Sequence, residues 1–290
     1  QLTISKEGGT VIYLPDELPK ARVLITVKTY PLPSRSYTEL VCTAGFLNGE
    51  QWIRVYPVSF RFLHDGDKYP KYSWVELNLV RNTKDFRPES YRPKLGVDEP
   101  ITVIDKIGTG SVHDWAGRKS YILREIFTSM TELIQLAKGP KQKSLATLKP
   151  TRIVDFIVEE DEREWKQDWL DQLKQLNMFD IPTKGGRRKV VKKLPYKFSY
   201  RFFSEGDKEP RTLMIEDWEI GALFWNCLYR ADGDEQAALQ QVRQKYYDEF
   251  IEKDLYLFVG TTLKYHKIAP NPFVIIGVFY PPKTNQLSLL

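Results

Sequence analysis

Six short runs between positions 10 and 107 constrain this chain more than any other feature. They are TVIYL, RVLITVKTY, ELVCTAGF, QWIRVYPV, YSWVELNLV and PITVIDKI. Each alternates apolar with polar residues or is continuously β-branched, the pattern of half-buried or fully buried strands. The punctuation agrees, because Asn48-Gly49 in LNGEQ is a favoured hairpin turn and Asp65-Gly66 marks another. Short strands with turns at this spacing cannot extend into a large flat sheet. They predict a small, strongly curved antiparallel sheet or closed barrel of the OB or SH3 kind. The three prolines in FRPESYRPKLGVDEP argue against a central strand there, so 86–100 reads as a long loop.

The rest of the chain is mixed. VHDWAGRKSYILREIFTSMTELIQLAKGP carries Leu123, Ile126, Met130, Leu133 and Ala137 at helical spacing, with Asp114 or Ser120 as a cap and Gly139-Pro140 as a stop. KQKSLATLKP reads as a basic linker and TRIVDFIVEE as a strand. DEREWKQDWLDQLKQLNMF places Trp165, Trp169, Leu173 and Leu176 on one helical stripe. PTKGGRRKVVKKLP breaks the periodicity with two glycines and several cations, marking an exposed loop. YKFSYRFF, TLMI, LYLFVGTT and PFVIIGVFY follow as strands, with EDWEIGALFWNCLYR and DEQAALQQVRQKYYDEFIEKD as helices. The class is α+β. The division expected is a β-barrel-like domain over 1–112, a helical connector over 113–185 and a mixed α/β unit over 186–290.

A net charge of +5 permits a nucleic-acid partner without demanding one. Cys42 and Cys227 form no CxxC pair, which argues against a disulfide framework or a cysteine zinc site and for two buried free thiols in a reducing compartment. With no long apolar run and no secretory leader pattern at QLTISKEGGT, the expected location is cytoplasmic and no membrane partner is expected.

Which residues could carry function? In a strand, Trp52, Arg54 and Tyr56 share one face while Ile53 and Val55 share the other. The first face, with Arg61 beyond it, is either an open platform that stacks bases and holds phosphates or an ordinary face covered by a later element. Cations recur in three loops: Lys28 and Arg35 in KTYPLPSRSYTE, Arg92 in RPESYRPK, and Arg187, Arg188, Lys189, Lys192 and Lys193 in the glycine-containing segment. Loops at barrel edges are where OB-type domains grip a strand, although the acidic run EEDERE could pair with the last group instead.

Carboxylates offer a second chemistry. Asp155, Asp217 and Glu219 are candidates for an Mg²⁺-dependent nuclease, with His266 as a further polar candidate near Asp217. Helix-dipole stabilisation of Asp217 and Glu219, and ordinary loop hydrogen bonding of His266, are the simpler account of the last three. No histidine pair has metal-ligand spacing, and no cofactor is expected unless the nuclease reading holds. The phosphate-loop, dinucleotide and serine-hydrolase signatures do not occur in the sequence.

VLITVKTYPLPSRSYTELVCTAG, QWIRVYPVSFRFL, RPESYRP, DWEIGALF and DLYLFVGTTLKYH...PFVIIGVFYPP together resemble a widespread family of uncharacterised prokaryotic proteins. That resemblance supplies no catalytic residue. The VCTAG...WIRVYP part is also similar to dual OB-fold modules, a likeness that implies nucleic-acid binding in mobile-element or antiviral defence settings. The sequence reading is therefore a nucleic-acid-binding protein favouring single-stranded DNA or RNA over duplex. The alternatives are a metal-dependent nuclease and a scaffold that meets a protein partner through aromatic and arginine side chains.

Overall fold

The first strand is long enough to pair on two sides, and that closes the barrel. In a computed structural model, which describes residues 14–31, 41–58, 69–96, 99–168, 170–171 and 191–283, β1 spans Glu17–Lys28. Its second half pairs antiparallel with β2 (Val41–Leu47) and its first half with β4 (Ser73–Arg81). Register shifts after Leu18 and after Ile25 let it bend between the two partners. β3 (Gln51–Val58) follows β2 through the Asn48-Gly49 turn, where both residues have positive φ. β5 (Ser90–Pro93) runs parallel to β3 and antiparallel to β4, and β6 (Thr102–Lys106) extends the outer edge of β4. The order β1-β2-β3-β5-β4, closed by β1–β4, is a five-stranded Greek-key barrel of the OB type. The segment 86–100 is thus not all loop. Pro93 occupies the last position of β5, where a missing N–H costs least.

The helical middle is shorter than the sequence period suggests. α1 (Ala116–Ile122) stops at Leu123, and Ile126–Phe127 forms β7. A new helix, α2 (Met130–Lys138), begins where the Ser129 hydroxyl accepts the Glu132 N–H. The stretch read as a basic linker holds a fully buried strand, β8 (Leu145–Leu148), which pairs with β7. Most of the stripe through Trp169 and Leu176, and TVIYL apart from its last residue, lie outside the described residues.

The second half repeats the first in topology. β8 leads into β9 (Arg152–Glu160); β9 pairs with β10 (Tyr196–Phe203), and β10 with β11 (Arg211–Met214). Beyond β11, Ile215 bridges in parallel to Ile275 of β13 (Phe273–Phe279), β13 pairs with β12 (Tyr256–Thr261), and β12 returns to β8. Two sheets joined in this way give the same order, a long first strand flanked by the second and fourth, and a third strand parallel to the fifth. α3 (Trp218–Arg230) and α4 (Glu235–Arg243) are inserted between third and fourth strands, and pack Ile220, Phe224 and Val242 on a core of Phe156, Phe198, Tyr200 and Phe202.

Strand alternation decides how the barrels meet. Val23, Ile25, Ile53, Val55, Val75 and Leu77 point into the first barrel. The opposite face, Leu24, Val27, Phe46 and Trp52, forms a second cluster with Leu145, Phe258, Ile276 and Phe279 of the other barrel. Trp52 meets Phe258 edge-on at 5.4 Å between ring centroids. The chains come close enough to need glycine: a Cβ at Gly221 would lie 2.3 Å from the Tyr30 ring.

A buried ion pair completes the seam. Lys71 Nζ donates to both Asp217 carboxylate oxygens at 2.8 Å and to Glu219 at 3.0 Å. Burial opposes the Lys71 charge, but Asp217 and Glu219 outweigh it and raise its pKa. Asp217 also caps α3 by accepting the Glu219 N–H, and Thr29 pairs with it as an isolated bridge. Nearby, Lys28 donates to the Tyr69 carbonyl at 3.0 Å. Burial, reinforced by the Lys71 charge, pushes Lys28 down to about 8.

Two outcomes follow. Trp52→Ala removes the central ring of the seam and should cost about 3–5 kcal/mol, read by urea unfolding; a loss under about 1 kcal/mol would show that Trp52 does not hold the barrels together. For Lys28, the ordinary value of 10.5 lies above the folded one. Below about 8 both states carry the charge and the folded chain bears the whole cost of burying it. Between about 8 and 10.5 the folded chain releases a proton that the unfolded chain keeps, so the cost fades. Stability relative to Lys28→Met should therefore rise across that window, by on the order of 3 kcal/mol; a difference that stays flat with pH contradicts the assignment.

Candidate functional site

Where the seam opens, a cavity of 760 Å³ lies between the two barrels. Its first wall is the end of β3, with Arg54, Tyr56 and Pro57, together with Cys42 on β2 and the β4–β5 loop from Asn82 to Arg87. The second is built from Glu216 after β11, Thr261 to Leu263 after β12, and Val274 and Ile276 on β13. The surface of the second and third strands with the adjoining loops is the ligand face of an OB-type barrel, so the cavity lies where that architecture binds.

The platform expected at Trp52, Arg54 and Tyr56 divides at this point. Trp52 is 6% exposed and Arg54 is 3% exposed, because the second barrel covers the face they share. An open stacking surface at those two residues is therefore corrected. Tyr56, beyond the seam, is 37% exposed and lines the cavity. Burial raises its phenol pKa, keeping the ring neutral. Arg54 is spent on joining the barrels: its Nη1 donates to Ser144 Oγ at 2.8 Å and Ser90 Oγ at 3.2 Å, and its Nη2 to the Ser144 carbonyl at 3.3 Å. Ser144 in turn donates its N–H and hydroxyl to Glu89, each at 2.9 Å. Arg87 grips Asp85, with Nε to Oδ1 at 2.8 Å, and reaches across to the Thr261 carbonyl.

The free cations and rings stand on the rim. Lys84 and Arg92 have no carboxylate partner among the described residues; Arg92 reaches only the Pro93 and Lys94 carbonyls, both at 3.4 Å. Phe86 in the β4–β5 loop is 38% exposed and Tyr265 in the β12–β13 loop is 46% exposed. Lys267 lies over the Phe86 ring at 4.1 Å and Lys264 over Tyr265 at 5.0 Å. Fourth-to-fifth-strand loops from both barrels thus meet at one cleft, and Phe86 contacts His266 edge-on at 5.1 Å. The sequence analysis passed over these residues because the two loops lie far apart in the chain. Their shared pattern of an aromatic beside lysine was the available signal.

Among the described residues, two residues that line the cavity carry a side-chain polar group with no hydrogen-bond partner. No described side chain donates to the Glu216 carboxylate, and burial raises its pKa with no charge opposing it. The Thr262 hydroxyl oxygen is buried and unbonded. Cys42 is partly buried, and burial pushes its thiol up despite the Arg54 guanidinium, which leaves a protonated and unreactive group.

The other expected residues have different surroundings. Asp155 pairs with Arg243 at 3.1 Å, whereas Asp217 and Glu219 share Lys71. Among the described residues no group of three or more His, Cys, Asp or Glu is placed to share a metal ion. His266 Nε2 donates to the Ala137 carbonyl at 2.8 Å while Nδ1 accepts from Thr261 at 2.7 Å, so both nitrogens are occupied away from Asp217. Burial lowers its pKa and keeps it neutral. Lys28 is buried against the Tyr69 carbonyl. Lys193 pairs with Asp161 at 2.8 Å, as the acidic-run alternative expected, and Lys192 lies over Trp225 at 5.2 Å. Arg35, Arg61, Arg187, Arg188 and Lys189 lie outside the described residues. Among the described residues no helix is long and apolar enough to cross a membrane.

Comparison with known proteins adds family membership. No curated protein matches the chain. Among solved structures, that of a murine DNA-binding protein bound with double-stranded DNA is similar over 93% of this chain and 100% of its own, at 9% identity and a TM-score of 0.32, a likeness too distant to carry an argument. Residues 19–124 match a family described as a domain of unknown function, DUF8758. Residues 126–290, more than half of the chain, match another described in the same way, and the chain belongs to that family, DUF8757.

Proposed function

We propose that this protein binds single-stranded nucleic acid, RNA or DNA, in the cleft between its barrels, without itself carrying out a reaction. The observation that supports this most is the convergence of two loops at the OB ligand face, where the exposed rings of Phe86 and Tyr265 each lie under a lysine of the β12–β13 loop that has no carboxylate partner among the described residues. Phe86, Tyr265 and Tyr56 are sequence-tolerant stacking surfaces, each worth roughly 1–3 kcal/mol per base. Lys84, Arg92, Lys264 and Lys267 would follow the phosphates. The cavity is of a size that holds one nucleoside-sized group, while the rim meets its neighbours. A duplex fits less well, since stacking on these rings requires unpaired bases.

Binding of a labelled oligouridylate followed by fluorescence anisotropy tests the reading. Phe86→Ala and Tyr265→Ala should each weaken binding by about 1–3 kcal/mol. Affinity should fall steeply as salt rises from about 50 to about 200 mM, and Lys84→Glu should reduce the slope of log affinity against log salt by roughly one. Absence of oligonucleotide binding, or binding indifferent to salt, would overturn it; the second result would favour a protein partner.

A further inference from the structure

Ile268, in the β12–β13 loop, is 71% exposed and serves neither stacking nor phosphate contact. Single aliphatic side chains scattered over a surface are ordinary. What sets Ile268 apart is how it is held. Its loop is wound into two turns, in which the His266 N–H donates to the Thr262 carbonyl at 3.0 Å and the Ala269 N–H to the Tyr265 carbonyl at 2.9 Å. From beneath, the buried His266 ring fastens these turns to Thr261 at 2.7 Å and to the Ala137 carbonyl at 2.8 Å. Pro270 and Pro272 stiffen the exit. In the second turn Tyr265 and Ile268 stand three residues apart, so they are neighbours on one face. Lys267, next to Ile268 in the chain, lies over the Phe86 ring at 4.1 Å. A branched aliphatic is thus fixed beside one stacking ring and one residue from the lysine that covers the other. We propose that Ile268 is a wedge: it seats against the last base pair of a duplex whose unpaired strand enters the cleft, so that the protein recognises a junction of single and double strand.

The chemistry of the side chain selects this partner. An unpaired base stacks on a flat ring, and Phe86 and Tyr265 supply two. Isoleucine has no flat face, and its branch at Cβ makes it stiff. Branched aliphatics are among the side chains that enter between base steps and unstack them. The broad apolar face of a terminal base pair is left open to water once the next pair is missing, and an aliphatic that covers it removes both surfaces from water. Rigidity matters here, since a loop already held in place loses little freedom on binding. Lys264 and Lys267, without a carboxylate partner among the described residues, flank the wedge and suit the phosphates on either side of such a pair. The duplex itself stays outside, because the cavity of 760 Å³ admits one nucleoside-sized group.

This inference rests on the nucleic-acid reading of the cleft, and the experiment separates the two. Anisotropy with the full chain compares a labelled oligouridylate, the same oligouridylate as an overhang of either polarity on a short duplex, and the blunt duplex. The overhang duplex of at least one polarity should bind about tenfold more tightly than the free strand, and the blunt duplex more weakly than either. Ile268→Ala should abolish that advantage and leave affinity for the free strand unchanged, whereas Ile268→Leu, apolar and of the same size, should keep most of it. Both variants alter only an exposed side chain, so the fold is retained. A 2-aminopurine placed in the last base pair reads the unstacking directly: its fluorescence should rise on binding to the native chain and not on binding to Ile268→Ala. An overhang duplex that binds no better than the free strand overturns the wedge and leaves strand binding intact, whereas binding of none of the probes removes both. An advantage that survives in Ile268→Ala, or an equal loss for free strand and overhang duplex in that variant, also overturns the assignment.

Discussion

The structure depends on an apolar seam. Leu24, Val27, Phe46 and Trp52 on the outside of one barrel pack against Leu145, Phe258, Ile276 and Phe279 on the outside of the other. A small barrel normally gives its outer strand faces to water or to a ligand. Here three strands of each barrel give theirs to one another, so only the strand ends and the loops that leave them stay open. The cleft is what remains of an OB ligand face after the neighbouring barrel has covered its centre. Its position follows from where the alternating apolar residues stop: Trp52 is inside the seam, and Tyr56, four residues later, is at its edge.

Polar groups hold the edge of the seam in register. Arg54 crosses to Ser144, Arg87 to Thr261, and Lys71 to Asp217, so each bond ties the first barrel to the second. Such groups fix orientation more than they add stability, since desolvation offsets much of the attraction between buried charges. Two residues that suggested chemistry in isolation, Arg54 and Asp217, prove to be joints of this kind, whereas His266 is bonded within the second half, to Thr261 and the Ala137 carbonyl.

How much of this could be read in advance? The strands and turns of the first barrel were legible because their periodicity and the Asn48-Gly49 turn are local signals. The continuously apolar runs at 256–261 and 273–279 correctly announced strands covered on both faces, and a β2–β3 hairpin with one aromatic face was correct as well. The identity of whatever covered that face was not legible, since it comes from strands some two hundred residues away. Ser90–Pro93 and Leu145–Leu148 were missed as strands because prolines and flanking lysines outweigh four-residue runs in any local reading. Glu216 was legible only as one of three carboxylates at an acidic helix start, and it is the fold that sets it in the lining of the cleft while Asp217 and Glu219 hold Lys71.

Gly221 shows what such close contact means for substitution along α3. With Tyr30 lying across the helix where a methyl group would have to go, any larger residue at 221 must lever α3 away from the first barrel. A change at an exposed position such as Tyr229 meets no such obstacle, so tolerance to substitution should differ sharply between the two turns of the same helix.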